Sequence, residues 1–161
     1  MIEVDAQIEA IRSAKYLYLG SISEPEDNCL RLVILEATSD LSPNQAMEQL
    51  EVPGLPAGSF SEAKPILHGP GCRIFEIVWE SYIGYAVQNE SFHVPEPEES
   101  EGEGRLFVRY TKSVYLDYLA KVTFASAKFP GPFVHWGIYC LNHTIEVASM
   151  ATPRITISVQ G

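Results

Sequence analysis

The 161-residue sequence contains no run of eighteen apolar residues, the length at which a helix begins to span a bilayer. Its opening stretch, MIEVDAQIEA, has early acids where a secretory leader needs an apolar core. Both absences point to a cytoplasmic protein with no membrane partner. Cysteine is scarce and odd in number. Cys29, Cys72 and Cys140 lie far apart, each within an apolar run. Buried, reduced thiols are therefore expected, not a disulfide framework. Basic residues are also few, 11 against 21 acidic, for a net charge of −10. Neutralising a phosphate backbone requires clustered Lys and Arg, so nucleic acid is excluded as an expected partner.

Catalytic and cofactor signatures are missing as well. There is no Gly-x-Ser-x-Gly elbow, His-Glu-x-x-His, Walker loop or Cys-x-x-Cys. Gly69-Pro70-Gly71 lacks the strand–glycine–helix setting of a dinucleotide fingerprint. The reading is of no catalytic set, no cofactor and no metal. Glu90-Ser91-Phe92-His93 matches Glu-x-x-His. That spacing serves metals on a helix, whereas here it follows a strand and precedes Pro95. The sequons Asn89-Glu90-Ser91 and Asn142-His143-Thr144 are read as chance matches in a protein without a leader.

What is present is a globular composition, 46% hydrophobic and 20% charged. A chain of this length buries roughly 68–70% of its unfolded surface as one domain. The organising stretch is Cys72–His93. Phe75, Ile77 and Trp79 share one parity and Glu76, Val78 and Glu80 the other, the alternation of a half-buried strand. Gly84 interrupts the pattern, so the stretch reads as one long bent strand, with a hairpin at Ser81–Tyr82 as the alternative. Further strands are expected at 16–22 and 29–38, joined as a hairpin, and at 105–110, 133–141, 143–148 and 154–159. Asn142 is the turn residue between the 133–141 and 143–148 strands.

Two amphipathic helices are expected, at 4–14 and 112–125. The second has Tyr115, Tyr118, Leu119 and Val122 as its buried stripe, widened by Leu116. Residues 39–71 hold nine Pro or Gly residues and read as an irregular connection. One short helix within it is opened by a Ser42–Gln45 capping box and cannot pass Val52; a short strand is expected at 65–68. Residues 95–104, with five glutamates and no apolar side chain, read as an acidic flexible loop. The fold expected is α+β, a single domain over 1–161. It has one curved, mostly antiparallel sheet of five to eight strands, with both helices packed on one face.

The polar run Gln88–Ser91 at the end of the central strand could form a pocket mouth. Tyr85, Asn89, Glu90, His135 and Tyr139 are the candidate ligand- or partner-contact residues, tyrosine pairing apolar bulk with a polar handle. His135 and His143 are too far apart along one strand to share a metal, and alternation puts Cys140 opposite His135.

The leading functional expectation is a non-enzymatic binding protein, such as an acidic antidote that masks a basic protein partner. The alternative is a small-molecule-binding domain or enzyme with Glu90 as base and His135 as partner acid. A homodimer using a sheet edge is the third reading.

Overall fold

A computed structural model describes residues 2–42, 44–45 and 64–161. Among these the fold is α+β, as the composition and periodicity indicate, but the strands form two antiparallel sheets, not one. Helix α1 (Ile2–Arg12) leads into β1 (Tyr16–Ser23), β2 (Leu30–Ala37) and β3 (Arg73–Trp79). Then come β4 (Gly84–Asn89), a 3-10 turn (Glu90–Phe92), β5 (Glu101–Glu103) and β6 (Phe107–Lys112). Helix α2 (Val114–Val122) is followed by β7 (Val134–Tyr139), β8 (His143–Ser149) and β9 (Arg154–Val159). The first sheet has the order β1-β2-β3-β9 and the second β4-β8-β7-β6-β5. The expected strand count of five to eight is thus exceeded, with nine among the described residues.

The second sheet arises at Glu80–Ile83. Cys72–His93 is neither one bent strand nor a hairpin. It breaks there, with β3 pairing β2 and β9 while β4 pairs β8 in the other sheet. The parity of β3 is as read from the sequence: Phe75, Ile77 and Trp79 are buried, while Glu76 and Glu80 stay accessible. What covers those three side chains is chiefly the second sheet. One core cluster joins them to Leu30, Leu32 and Ile34 of β2 and to Trp136, Ile138, Ile145 and Val147 of β7 and β8. Burying both inner faces against each other removes more apolar surface from water than covering one sheet with two short helices.

The helices therefore do not share a face. Ile8 and Ile11 of α1 enter the common core. Arg12 fastens α1 to the second sheet by donating to the carbonyls of Phe107 (3.0 Å) and Glu103 (2.9 Å). Helix α2 lies on the opposite side of the five-stranded sheet, where Tyr115 and Leu119 form a separate small cluster with Ala148. Its N-terminus is capped by Ser113, whose Oγ accepts from the Leu116 N–H at 3.1 Å.

The β1–β2 hairpin, the β7–β8 hairpin around Asn142 and the 154–159 strand agree with the sequence reading. The Asn142 side chain also ties this turn to β1, bonding both the N–H and C=O of Leu19. The Ser42–Gln45 capping box is formed, each backbone N–H donating to the other's side chain at 3.1 and 3.3 Å. Where that helix ends lies outside the described residues. The expected strand at 65–68 is a single bridge between Thr38 and Leu67. Residues 95–104 are not a free loop throughout: Glu101–Glu103 forms edge strand β5 on β6. All three cysteines are buried and unpaired, and burial pushes the Cys140 thiol up to about 12. Among the described residues no helix is long and apolar enough to cross a membrane.

Candidate functional site

The outer face of the five-stranded sheet is paved with small residues. Gly84 and Ala86 come from β4, Gly137 from β7 and Ala148 from β8, all on the parity opposite to Trp136, Ile138, Ile145 and Val147. Leu119 and the Tyr115 hydroxyl close over Gly84, and Tyr110 and Tyr139 close over Gly137, but above Ala86 neither α2 nor the 92–97 segment fills the space. A groove of about 690 Å³ results. Ala86, Gln88 and Glu146 line it from the sheet, Val114, Tyr115 and Tyr118 from α2, and residues 92–97 from the remaining side.

Glu146 sits between small neighbours, registered with Ala86 on β4 and with Gly137 on β7. Burial, with the nearby Glu96 carboxylate, raises its pKa above the ordinary carboxylate value. Glu96 is held by hydrogen bonds that fix its carboxylate, which accepts from Ser100 Oγ at 2.6 Å and from the Val114 N–H at 3.1 Å. The second bond places a negative charge at the N-terminus of α2, where the helix dipole favours it. None of the ion pairs among the described residues involves Glu96 or Glu146. No Lys or Arg among the described residues lines the groove.

The groove rim is apolar and open. Phe92 and Val94 are 81% and 80% exposed. Val114, Tyr118 and Val122, at i, i+4 and i+8 on α2, are each more than half exposed. The expected buried stripe of α2 is therefore split: Tyr115 and Leu119 pack on the sheet, but Tyr118 and Val122 face outward and Leu116 is only half-buried. A nine-residue helix can present a broad apolar sector, but the narrow outer face of β4, β8 and β7 accepts one edge of it.

The five candidate contact residues do not converge. Tyr85 packs toward the common core and joins Tyr82 edge-on at 5.0 Å. Asn89 caps the 3-10 turn by accepting from the Ser91 N–H, and Glu90 is exposed. His135 and Tyr139 do lie on the outer face. His135 is fully buried between Tyr110 and Tyr115, with ring centroids at 4.8 and 5.2 Å. Its Nδ1 shares a 2.8 Å hydrogen bond with Ser113 Oγ, and Nε2 has no partner among the described residues. Desolvation lowers its pKa to about 4, so it is neutral. His135 registers through Ala148 with Gly84, six residues before Glu90. That spacing is roughly 20 Å along a strand, so the Glu90–His135 acid–base pairing is not made. Tyr139 shares a 2.7 Å hydrogen bond with the Tyr110 hydroxyl and packs on His93 at 5.3 Å. Burial raises its pKa.

Glu146 and Glu96 are not marked as site residues by the sequence, and His93 stands out only through the Glu-x-x-His spacing. Glu146 did carry a signal: it is the one charged residue in the β8 run HTIEVAS other than the opening histidine. Glu96 is hidden by its acidic neighbours. Among the described residues no three His, Cys, Asp or Glu side chains are grouped as metal ligands. Glu90-Ser91-Phe92 forms a 3-10 turn, not the α-helix on which Glu-x-x-His would direct both ligands to one side. No family model, no curated protein and no solved structure matches the chain.

Proposed function

We propose that this is a non-enzymatic binding protein that docks a basic segment of a protein partner in the groove on the five-stranded sheet. The observation that carries this reading is the combination at one place of an exposed apolar rim and unpaired carboxylates. Phe92, Val94, Val114 and Tyr118 supply the first and Glu96 and Glu146 the second. Contiguous exposed apolar residues of this kind favour macromolecular contact. A cavity of this size can also hold a small ligand, but two side chains about four-fifths exposed at its rim favour a larger occupant.

Charge selects the occupant. Glu98, Glu99, Glu101 and Glu103 extend the acidic character beyond Glu96, so a basic segment is attracted and an acidic one repelled. A second copy of the chain would set like charges against each other here, which argues against self-association through this face. An acidic antidote masking a basic protein would use such a surface. The setting we infer is the cytoplasm, in keeping with three buried free thiols.

The test is binding of a synthetic 15-residue amphipathic peptide of leucine and lysine, with its leucine–glutamate counterpart as control, at low and high salt. The lysine peptide should bind, weaken steeply with salt, and be lost in a Phe92→Ser, Tyr118→Ser double variant that retains its fold. Equal binding of both peptides, or binding indifferent to the double variant, rejects the reading.

A further inference from the structure

The floor of the groove is more specific than a generally acidic surface. The carboxylate of Glu146 rises from a sheet face whose cross-strand neighbours, Ala86 and Gly137, have no side chain long enough to meet it. The second carboxylate, Glu96, is immobilised by its two hydrogen bonds. Val114, Tyr115 and Tyr118 line the same groove and can receive an alkyl stem. Tyrosine faces also attract organic cations. A basic side chain has this form, an apolar stem ending in a compact charge.

Building on the docking role above, we propose that the groove floor is a subsite for one alkyl-borne organic cation, the terminus of a single lysine or arginine of the docked segment, with Glu146 as its counter-ion and Glu96 as second carboxylate. The remaining groove contacts would then set affinity, while this subsite sets register, since only one position of the segment could place its cation there. A half-buried carboxylate without a cation is a destabilising feature in the free protein, and a bound ammonium or guanidinium relieves it.

The subsite can be tested without the partner. The intact protein, labelled with nitrogen-15, is titrated with n-butylammonium, n-butylguanidinium and n-butanol. Both cations should give saturable shifts at the backbone amides of Ala86, Gln88 and Glu146, and butanol should not. The tighter of the two cations identifies lysine or arginine as the preferred terminus. Glu146→Gln, nearly isosteric, should weaken the cations about tenfold, the scale of a hydrogen bond to a charged group. Butanol matching the cations, or cation binding unaffected by Glu146→Gln, overturns the subsite even if the peptide still docks. Saturable cation binding without any peptide binding supports the subsite and rejects the docking role alone.

Discussion

On the four-stranded sheet, Glu76 and Glu80 each meet an arginine: Arg31 lies 2.6 Å from Glu76 and Arg154 lies 3.1 Å from Glu80. On the outer face of the five-stranded sheet, Glu146 and Glu96 meet none among the described residues. The two faces share a common core and one chain, yet one neutralises its acids and the other leaves them beside exposed aromatic and aliphatic side chains. Pairing is the ordinary treatment of an acid at a protein surface, and it contributes little to stability. Withholding the partner costs stability where the acid is half-buried, so a surface that does this is better explained by something it receives.

The largest contrast lies within a single strand, β7. Trp136 points into the common core and is 1% exposed, and the adjacent Gly137 points to the groove side. Trp136→Ala should cost about 3–5 kcal/mol in urea unfolding, the usual range for deleting a buried aromatic ring. Gly137→Ala should cost about 1–3 kcal/mol, because the new methyl carbon would lie 2.8 Å from the Tyr139 hydroxyl. A Trp136→Ala variant no less stable than Gly137→Ala would show that β7 does not bury its inner face as the common core requires.

His135 gives a pH-dependent test of the same face. Its pKa falls from the ordinary value of 6.5 to about 4 in the folded protein. The unfolded chain therefore binds the proton more readily than the folded one. Stability is fully present above pH 6.5 and is lost as pH falls from there toward 4, by about 3 kcal/mol at one pKa unit per 1.36 kcal/mol. His135→Phe should flatten this slope, and direct titration of the ring by NMR should find it neutral at pH 5. A ring protonated near pH 6.5 would show that it is not buried behind α2.

A smaller effect separates the two outer faces by sign. Glu76→Gln removes an ion pair and should lower stability by up to about 1 kcal/mol. Glu146→Gln should raise it at pH 7. The folded-state pKa of Glu146 is raised, so its ionised form disfavours folding, and the gain appears as pH rises through that value. At pH below the ordinary carboxylate range Glu146 is neutral and its replacement by Gln brings no gain. Thermal unfolding at pH 7 and pH 3.5 decides; a destabilising Glu146→Gln at pH 7 would indicate a hidden partner for that carboxylate.

Much of this fold is legible locally. Period-two burial places Phe75, Ile77 and Trp79 inward, Asn142 marks the β7–β8 turn, and residues 154–159 form a strand with the boundaries expected. What is not legible is pairing between distant segments. Glu80–Ile83 carries no recognised turn signal, so nothing in it announces that β3 joins β9 and β4 joins β8 in separate sheets. One sheet therefore becomes two.

The candidate site fails for a related reason. Parity alone puts His135 and Tyr139 together on one face, but whether Tyr85 and Asn89 share that face depends on the register of β4 against β8. Alternation then sends them to the other side from Ala86 and Gln88. Helical periodicity likewise finds the apolar sector of α2 without revealing that Tyr118 and Val122 stay outside. Of that outward half-stripe, Tyr118 lines the groove.

The most direct measurement is residue-level mapping of the amphipathic lysine peptide by amide chemical shifts, with urea unfolding of Tyr118→Ser measured in parallel. Shifts should be confined to Ala86–Gln88, Phe92–Pro97, Val114–Tyr118 and Glu146. Tyr118→Ser should keep stability within about 0.5 kcal/mol of wild type, with peptide affinity sharply reduced. Shifts centred on the four-stranded sheet, or a Tyr118→Ser variant that unfolds readily while binding as before, would contradict it.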